Sequence, residues 1–98
     1  MAKVSLNAFF VNKVVFANTI YDICQTNGAN YEKIKQVFEK HKYGSKNHFT
    51  IFHKEGRGAG GRCLNKDFQA FNSYASKEIF EFINAENQRL LAEYPKEK

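Results

Sequence analysis

Apolar side chains recur through the first 27 residues at helical spacings: Val4, Leu6, Phe9, Phe10, Val14, Val15, Phe16, Ile20, Ile23 and Cys24. The pattern predicts one long helix over about 2–27, with Asn27-Gly28 as its C-terminal stop. These residues spread around more than one face, so the helix is expected to be central or to lie at an interface. Asn30 can cap a second helix over 31 to about 42, whose Ile34, Val37 and Phe38 form a narrow apolar stripe, and Gly44 is placed to end it. The stretch 45–55 is ambiguous, because Phe49, Ile51 and Phe52 suit either a short helix or an extended piece. A third helix is expected over about 64–74, with Phe68, Phe71 and Tyr74 at i, i+3, i+6. Ser76 reads as the cap of a fourth over 77 to about 94, carrying Ile79, Phe80, Phe82, Ile83, Leu90 and Leu91 and closed by Pro95. With no internal repeat and no alternating strand, the chain is expected to be an all-α helical bundle with a long, largely apolar first helix.

Length and composition narrow the picture. Ninety-eight residues suit one small domain and are short for a complete multi-substrate enzyme, while ten Phe and 43% hydrophobic residues can build a core. No charge-free run approaches the roughly 18 apolar residues of a membrane span. Residues 1–12 carry no signal-peptide pattern, so a cytoplasmic chain with reduced thiols is expected. The net charge of +5 is concentrated in residues 32–66, where nine Lys or Arg face three acids. Such a basic middle is either a solvated face or a surface for an anionic partner, such as a phosphorylated small molecule or nucleic acid.

Candidate chemistry gathers at Gly56-Arg57-Gly58-Ala59-Gly60-Gly61-Arg62-Cys63-Leu64-Asn65-Lys66-Asp67, where four glycines in six positions lead into a cysteine. The run lacks the strand-turn-helix setting of a dinucleotide fingerprint and the Lys-Ser/Thr ending of a phosphate loop. On pattern alone it reads as a flexible turn, with a substrate loop as the other reading. Cys63 stands at the start of a predicted helix beside Arg62 and Lys66, a setting that lowers a thiol pKa. Cys24, by contrast, reads as a core thiol. His41, His48 and His53 match no compact metal-ligand spacing, so no metal site is expected. Lys3 and Asn7, at i, i+4, share one helix face and in isolation read as solvated residues.

Three stretches together resemble one family. Lys3-Val4-Ser5-Leu6-Asn7-Ala8-Phe9 is similar to the K-x-x-x-N-A-F opening of the central helical domain of UDP-glucose/GDP-mannose dehydrogenases. The CQTNGANY stretch over 24–31 resembles that domain's C-x-x-x-G-A-[ND] turn. Gly60-Gly61-Arg62-Cys63-Leu64-Asn65-Lys66-Asp67 resembles its G-G-x-C-x-x-K-D motif. The stretches fall in the family's order and at similar separations.

The resemblance implies that Cys63 is a catalytic nucleophile. It would capture the aldehyde formed at C6 of a sugar nucleotide as a thiohemiacetal, which a second oxidation turns into a thioester and water releases as the uronate. It implies further that Asp67 handles water and protons, and that Lys3 and Asn7 hydrogen-bond the reacting oxygen. Gly58, Gly60, Gly61, Arg62 and Lys66 would line the substrate. NAD is the implied cofactor, bound by an N-terminal domain outside these residues, with a nucleotide-binding domain following. The implied partners are a nucleotide-sugar substrate and a second copy in a homodimer. Three positions depart from the family pattern: Ala59 replaces an aromatic, Arg62 a small residue and Asn65 a proline. The family's D-P-R-I-G stretch has no match in 43–49. The competing expectation is a non-catalytic basic helical module that dimerises or contacts an anion such as nucleic acid, although the joint presence of Lys3, Asn7, Cys63 and Asp67 makes nucleic acid unlikely as a partner.

Overall fold

The computed structural model describes residues 1–53, 56–75 and 77–94, with Arg62 and Cys63 described in their backbone alone. Four helices account for the regular structure among them: α1 (Ala2–Asn27), α2 (Tyr31–Lys40), α3 (Arg62–Ala75) and α4 (Glu78–Glu93). The all-α expectation holds, and α1 has the predicted bounds. Its end is set by Gly28, whose φ of 77° lies in the left-handed region and whose N–H donates to Cys24 O at 2.8 Å. Glycine reaches that conformation without the strain a β-carbon brings.

Helix α2 starts where predicted, with Asn30 Oδ1 accepting from the Glu32 and Lys33 amides, and Glu32 and Lys40 complement its dipole. It stops at Lys40, two residues short of the expected end. The chain turns there: Ser45 N donates to Phe38 O and Gly44 N to His41 O, each at 3.0 Å. Gly44 lies so close to the Phe38 carbonyl that an added β-carbon would sit 2.0 Å from its oxygen. Helix α3 begins two residues earlier than expected. Lys77 precedes α4 without a side-chain cap; Ser76, the expected cap, and Pro95, the expected stop, lie outside the described residues.

Helix α1 is the axis of the molecule, and every other helix packs on it. Its first half joins Ala8, Val11, Val14 and Val15 to Ala59 and Phe68, flanked by Leu64, Phe71, Phe80 and Ile83 from α3 and α4. Its second half joins Ala17 and Cys24 to Tyr31, Phe49 and Ile51, flanked by Ile34 and Phe38 from α2. Cys24 is thus a buried core thiol, as expected. The ambiguous stretch resolves as non-helical through residue 53: Phe49 and Ile51 are buried while Thr50 and Phe52 are exposed, an alternation of period two. The Tyr31 hydroxyl donates to Phe49 O at 2.6 Å, and burial pushes its pKa well above the ordinary value.

The other side of α1 is not covered. Leu6, Phe9, Phe16 and Ile23 are each about half exposed, at spacings of three, seven and seven. Lys13 lies among them, its Nζ 4.9 Å from the Phe9 ring centre and donating to Ser45 Oγ at 3.2 Å.

Candidate catalytic-cysteine site

The two sequence motifs meet. Asn7, in the second turn of α1, donates from Nδ2 to Asp67 Oδ2 at 2.7 Å, joining positions sixty residues apart in a partly buried contact. A carboxylate acceptor makes this a charge-assisted bond, stronger than one between neutral groups. Cys63 is the second residue of α3, and Asp67 follows one turn later, so both belong to the same helix face. The side chains of Cys63 and Arg62 lie outside the described residues. Lys3, one turn before Asn7, and Lys66 are exposed. The structure therefore brings Asn7 and Asp67 together and gives neither lysine a partner among the described contacts.

The glycine loop is not the flexible turn that its composition suggested. Gly56, Arg57, Gly58 and Ala59 are all buried, with Gly60 half-buried and Gly61 exposed at the mouth of α3. Gly58 has φ 88°, and a β-carbon on it would lie 3.1 Å from both Asn87 Oδ1 and Leu90 Cβ. Gly61 has φ 84° with open space around it. The physical reason for the correction is a set of partners distant in sequence. Asn87 of α4, wholly buried, accepts from Ala59 N–H at 2.7 Å and donates to Ala59 O at 3.0 Å. Arg57 N–H donates to Tyr94 O at 3.0 Å.

Arg57 itself is 3% exposed. Its Nε donates to Asn18 Oδ1 at 2.7 Å, and its guanidinium reaches Asp22 Oδ1 at 2.9 Å. Tyr21 and Tyr94 flank it, with ring centres 5.0 and 4.8 Å away. The basic middle accordingly contains one cation that faces inward. Arg57 is spent on holding the loop to α1.

Two of the three departures from the family pattern, Ala59 and Asn65, have local explanations. Ala59 packs its methyl into the core cluster beside Phe68. Asn65 accepts from Gln88 Nε2 at 3.0 Å, tying α3 to α4 where a proline could not. Sequence reading missed Asn18, Arg57 and Asn87 as structural determinants. A signal was present: Asn87 falls on the α4 stripe between Ile83 and Leu90, and Asn18 follows Val11, Val14 and Val15 on α1. A buried amide at a core register must find hydrogen-bond partners, so each marks a polar contact inside the fold.

NAD does not fit these residues. The backbone at Gly56–Ala59 that might otherwise cradle a phosphate is buried against α4, and no strand precedes it among the described residues. Among the described residues no three His, Cys, Asp or Glu side chains gather as metal ligands, and no helix is long and apolar enough to cross a membrane.

The described residues thus form an all-α domain in which Asn7 of the first helix is bonded to Asp67, one turn past Cys63. The family model for the central domain of the UDP-glucose/GDP-mannose dehydrogenase family matches residues 1–89, and the chain belongs to that family. It is similar to UDP-glucose 6-dehydrogenase YwqF of Bacillus subtilis (strain 168), 35% identical over 83 residues, covering 84% of this chain and 18% of the relative. It is also similar to UDP-glucose 6-dehydrogenase TuaD of the same organism, 35% identical over 83 residues, covering 84% of this chain and 17% of the relative. A UDP-glucose 6-dehydrogenase of Rickettsia typhi (strain ATCC VR-144 / Wilmington) is 32% identical over 73 residues, covering 74% of this chain and 16% of the relative. The chain thus spans less than a fifth of the length of these relatives. No solved structure matches it.

Proposed function

We propose that this chain is the catalytic-cysteine and dimerisation domain of a cytoplasmic, NAD-dependent UDP-sugar 6-dehydrogenase. The observation that carries the reading is the Asn7–Asp67 hydrogen bond, which unites two motifs far apart in sequence beside the helix start that bears Cys63. The Cys63 thiolate attacks the C6 aldehyde, forming a C–S bond as the carbonyl π electrons move to oxygen. Asn7 and Lys3 stabilise that oxygen and Asp67 manages its proton. The helix N-terminus favours the thiolate, and the glycines at 60 and 61 leave room for the sugar. The hydride acceptor binds outside these residues. Isolated, the chain binds no NAD and turns nothing over.

Treating the full-length enzyme with iodoacetamide tests the assignment. Loss of uronate formation should track alkylation of the Cys63 peptide, with the UDP-sugar protecting both. Full alkylation of Cys63 with full activity would overturn the reading. The half-exposed row of Leu6, Phe9, Phe16 and Ile23 supports self-association through α1. A strictly monomeric species in sedimentation at tens of micromolar (roughly) would refute that part.

A further inference from the structure

We propose that Asn87 is a positioning residue for Cys63, acting through the backbone of Ala59. The proposal rests on the catalytic reading of Cys63 given above.

Asn87 sits deep on α4, with a side chain that is 0% exposed. An amide there is costly unless both its donor and its acceptor are used, and an apolar residue would suit the neighbouring Leu90 equally well. Both functions go to one residue of the glycine loop. Asn87 Oδ1 accepts from Ala59 N–H and Asn87 Nδ2 donates to Ala59 O, so the side chain pairs with the loop as a neighbouring strand would. Gly58 leaves no gap behind it, with Asn87 Oδ1 and Leu90 Cβ each 3.1 Å from where its β-carbon would stand. Tyr94 O takes the N–H of Arg57 two residues earlier, so α4 fixes residues 57–59 at both ends.

From Ala59 only Gly60 and Gly61 separate this clamp from Arg62, the first residue of α3, and Cys63 follows. The three steps from Ala59 to Arg62 span at most about 11 Å. The position of Ala59 therefore limits where the first turn of α3 can begin, and with it where the Cys63 backbone lies relative to Asp67 and Asn7. Releasing Ala59 gives slack at the nucleophile, and because Ala59 also belongs to the α1–α3 core cluster, folding of each variant is measured beside its activity. Misplacing a reacting group by about 1 Å costs on the order of 100-fold in rate.

The test uses the full-length enzyme with Asn87→Leu, Asn87→Asp and, as comparators, Cys63→Ala and Phe49→Leu. Phe49 lies in the other core cluster and touches neither Ala59 nor α3 in the contacts described. Assays are run at a temperature where far-UV circular dichroism shows each variant folded. Asn87→Leu should lower kcat by about tenfold or more and slow iodoacetamide alkylation of Cys63 relative to wild type. Phe49→Leu should lower thermal stability yet hold kcat within about twofold. Asn87→Asp is the rescue: as a neutral acid at low pH it can both accept from and donate to Ala59. Its kcat relative to wild type should be near normal at low pH and fall as the buried carboxyl ionises. A folded Asn87→Leu enzyme with kcat within about twofold of wild type would overturn the proposal. So would an Asn87→Asp enzyme whose relative kcat ignores pH. If Asn87→Leu fails to fold, that pH profile alone decides. Turnover retained by Cys63→Ala would remove the underlying reading and the proposal with it, whereas a dead Cys63→Ala beside an active Asn87→Leu would remove only the proposal.

Discussion

Asn7 and Asp67 are sixty residues apart in sequence and share a 2.7 Å hydrogen bond that joins α1 to α3. The bond does two things. It orients the Asp67 carboxylate beside the helix start that carries Cys63, and it fixes the register of α1 on α3 at the end where Lys3 also projects. Asn7→Ala is expected to destabilise the fold by about 1–2 kcal/mol, the range for a partly buried bond to a charged group. Asn7→Asp sets two carboxylates against each other and raises the folded pKa of the pair above its unfolded value. A raised pKa gives stability that is present below the unfolded pKa and is lost as pH rises through the folded one. Urea unfolding of Asn7→Asp should therefore show its deficit against wild type growing from acid toward neutral pH. A deficit independent of pH would refute the contact.

Arg57 is the second long-range device. Its guanidinium binds Asn18 and Asp22 and lies between aromatic rings, so Arg57→Ala leaves a hole and partly strands Asp22. Asp22 is 41% exposed and retains Arg89 at 3.5 Å, which places the expected cost near the low end for such pairs, about 3 kcal/mol. Arg57→Lys should recover less than half of it, because an ammonium cannot reproduce the planar fork or its stacking. The check is equilibrium urea denaturation; an Arg57→Ala change within about 0.5 kcal/mol would show that the contacts contribute little.

What the sequence revealed and what it hid follow from where the information lies. The bounds of α1 and the start of α2 were legible because Gly28 and Asn30 act on their immediate neighbours. Gly44 was legible as the stop of α2, but the helix closes two residues earlier than expected because the turn bonds from Gly44 N to His41 O and from Ser45 N to Phe38 O begin there, which periodicity does not encode. The glycine run looked flexible because Asn87 and Tyr94, which pin it, lie some thirty residues downstream. Among the proposed site residues, Asn7 and Asp67 could be paired from the family resemblance, whereas helical spacing alone left Asn7 indistinguishable from a solvated residue.

His48 predicts an acid sensitivity. It adopts φ 76° and stacks on Phe10 at 4.6 Å. Burial first, and then the nearby Lys13 charge, lower its pKa below the ordinary 6.5. For a depressed pKa the stabilising contribution is present above the unfolded value and is lost as pH falls through the folded one. Thermal stability should accordingly decline as pH drops below about 6.5, and His48→Asn, which tolerates the same backbone, should flatten that decline. An identical pH dependence in the variant would exclude His48 as the cause.

The most direct test of the account is uronate formation by the full-length enzyme carrying Cys63→Ala, measured beside wild type at saturating UDP-sugar and NAD. The account predicts that uronate formation is abolished while the protein stays folded, because the other thiol, Cys24, is buried in the core and cannot substitute for it. Near-normal uronate turnover by the Cys63→Ala enzyme would contradict it.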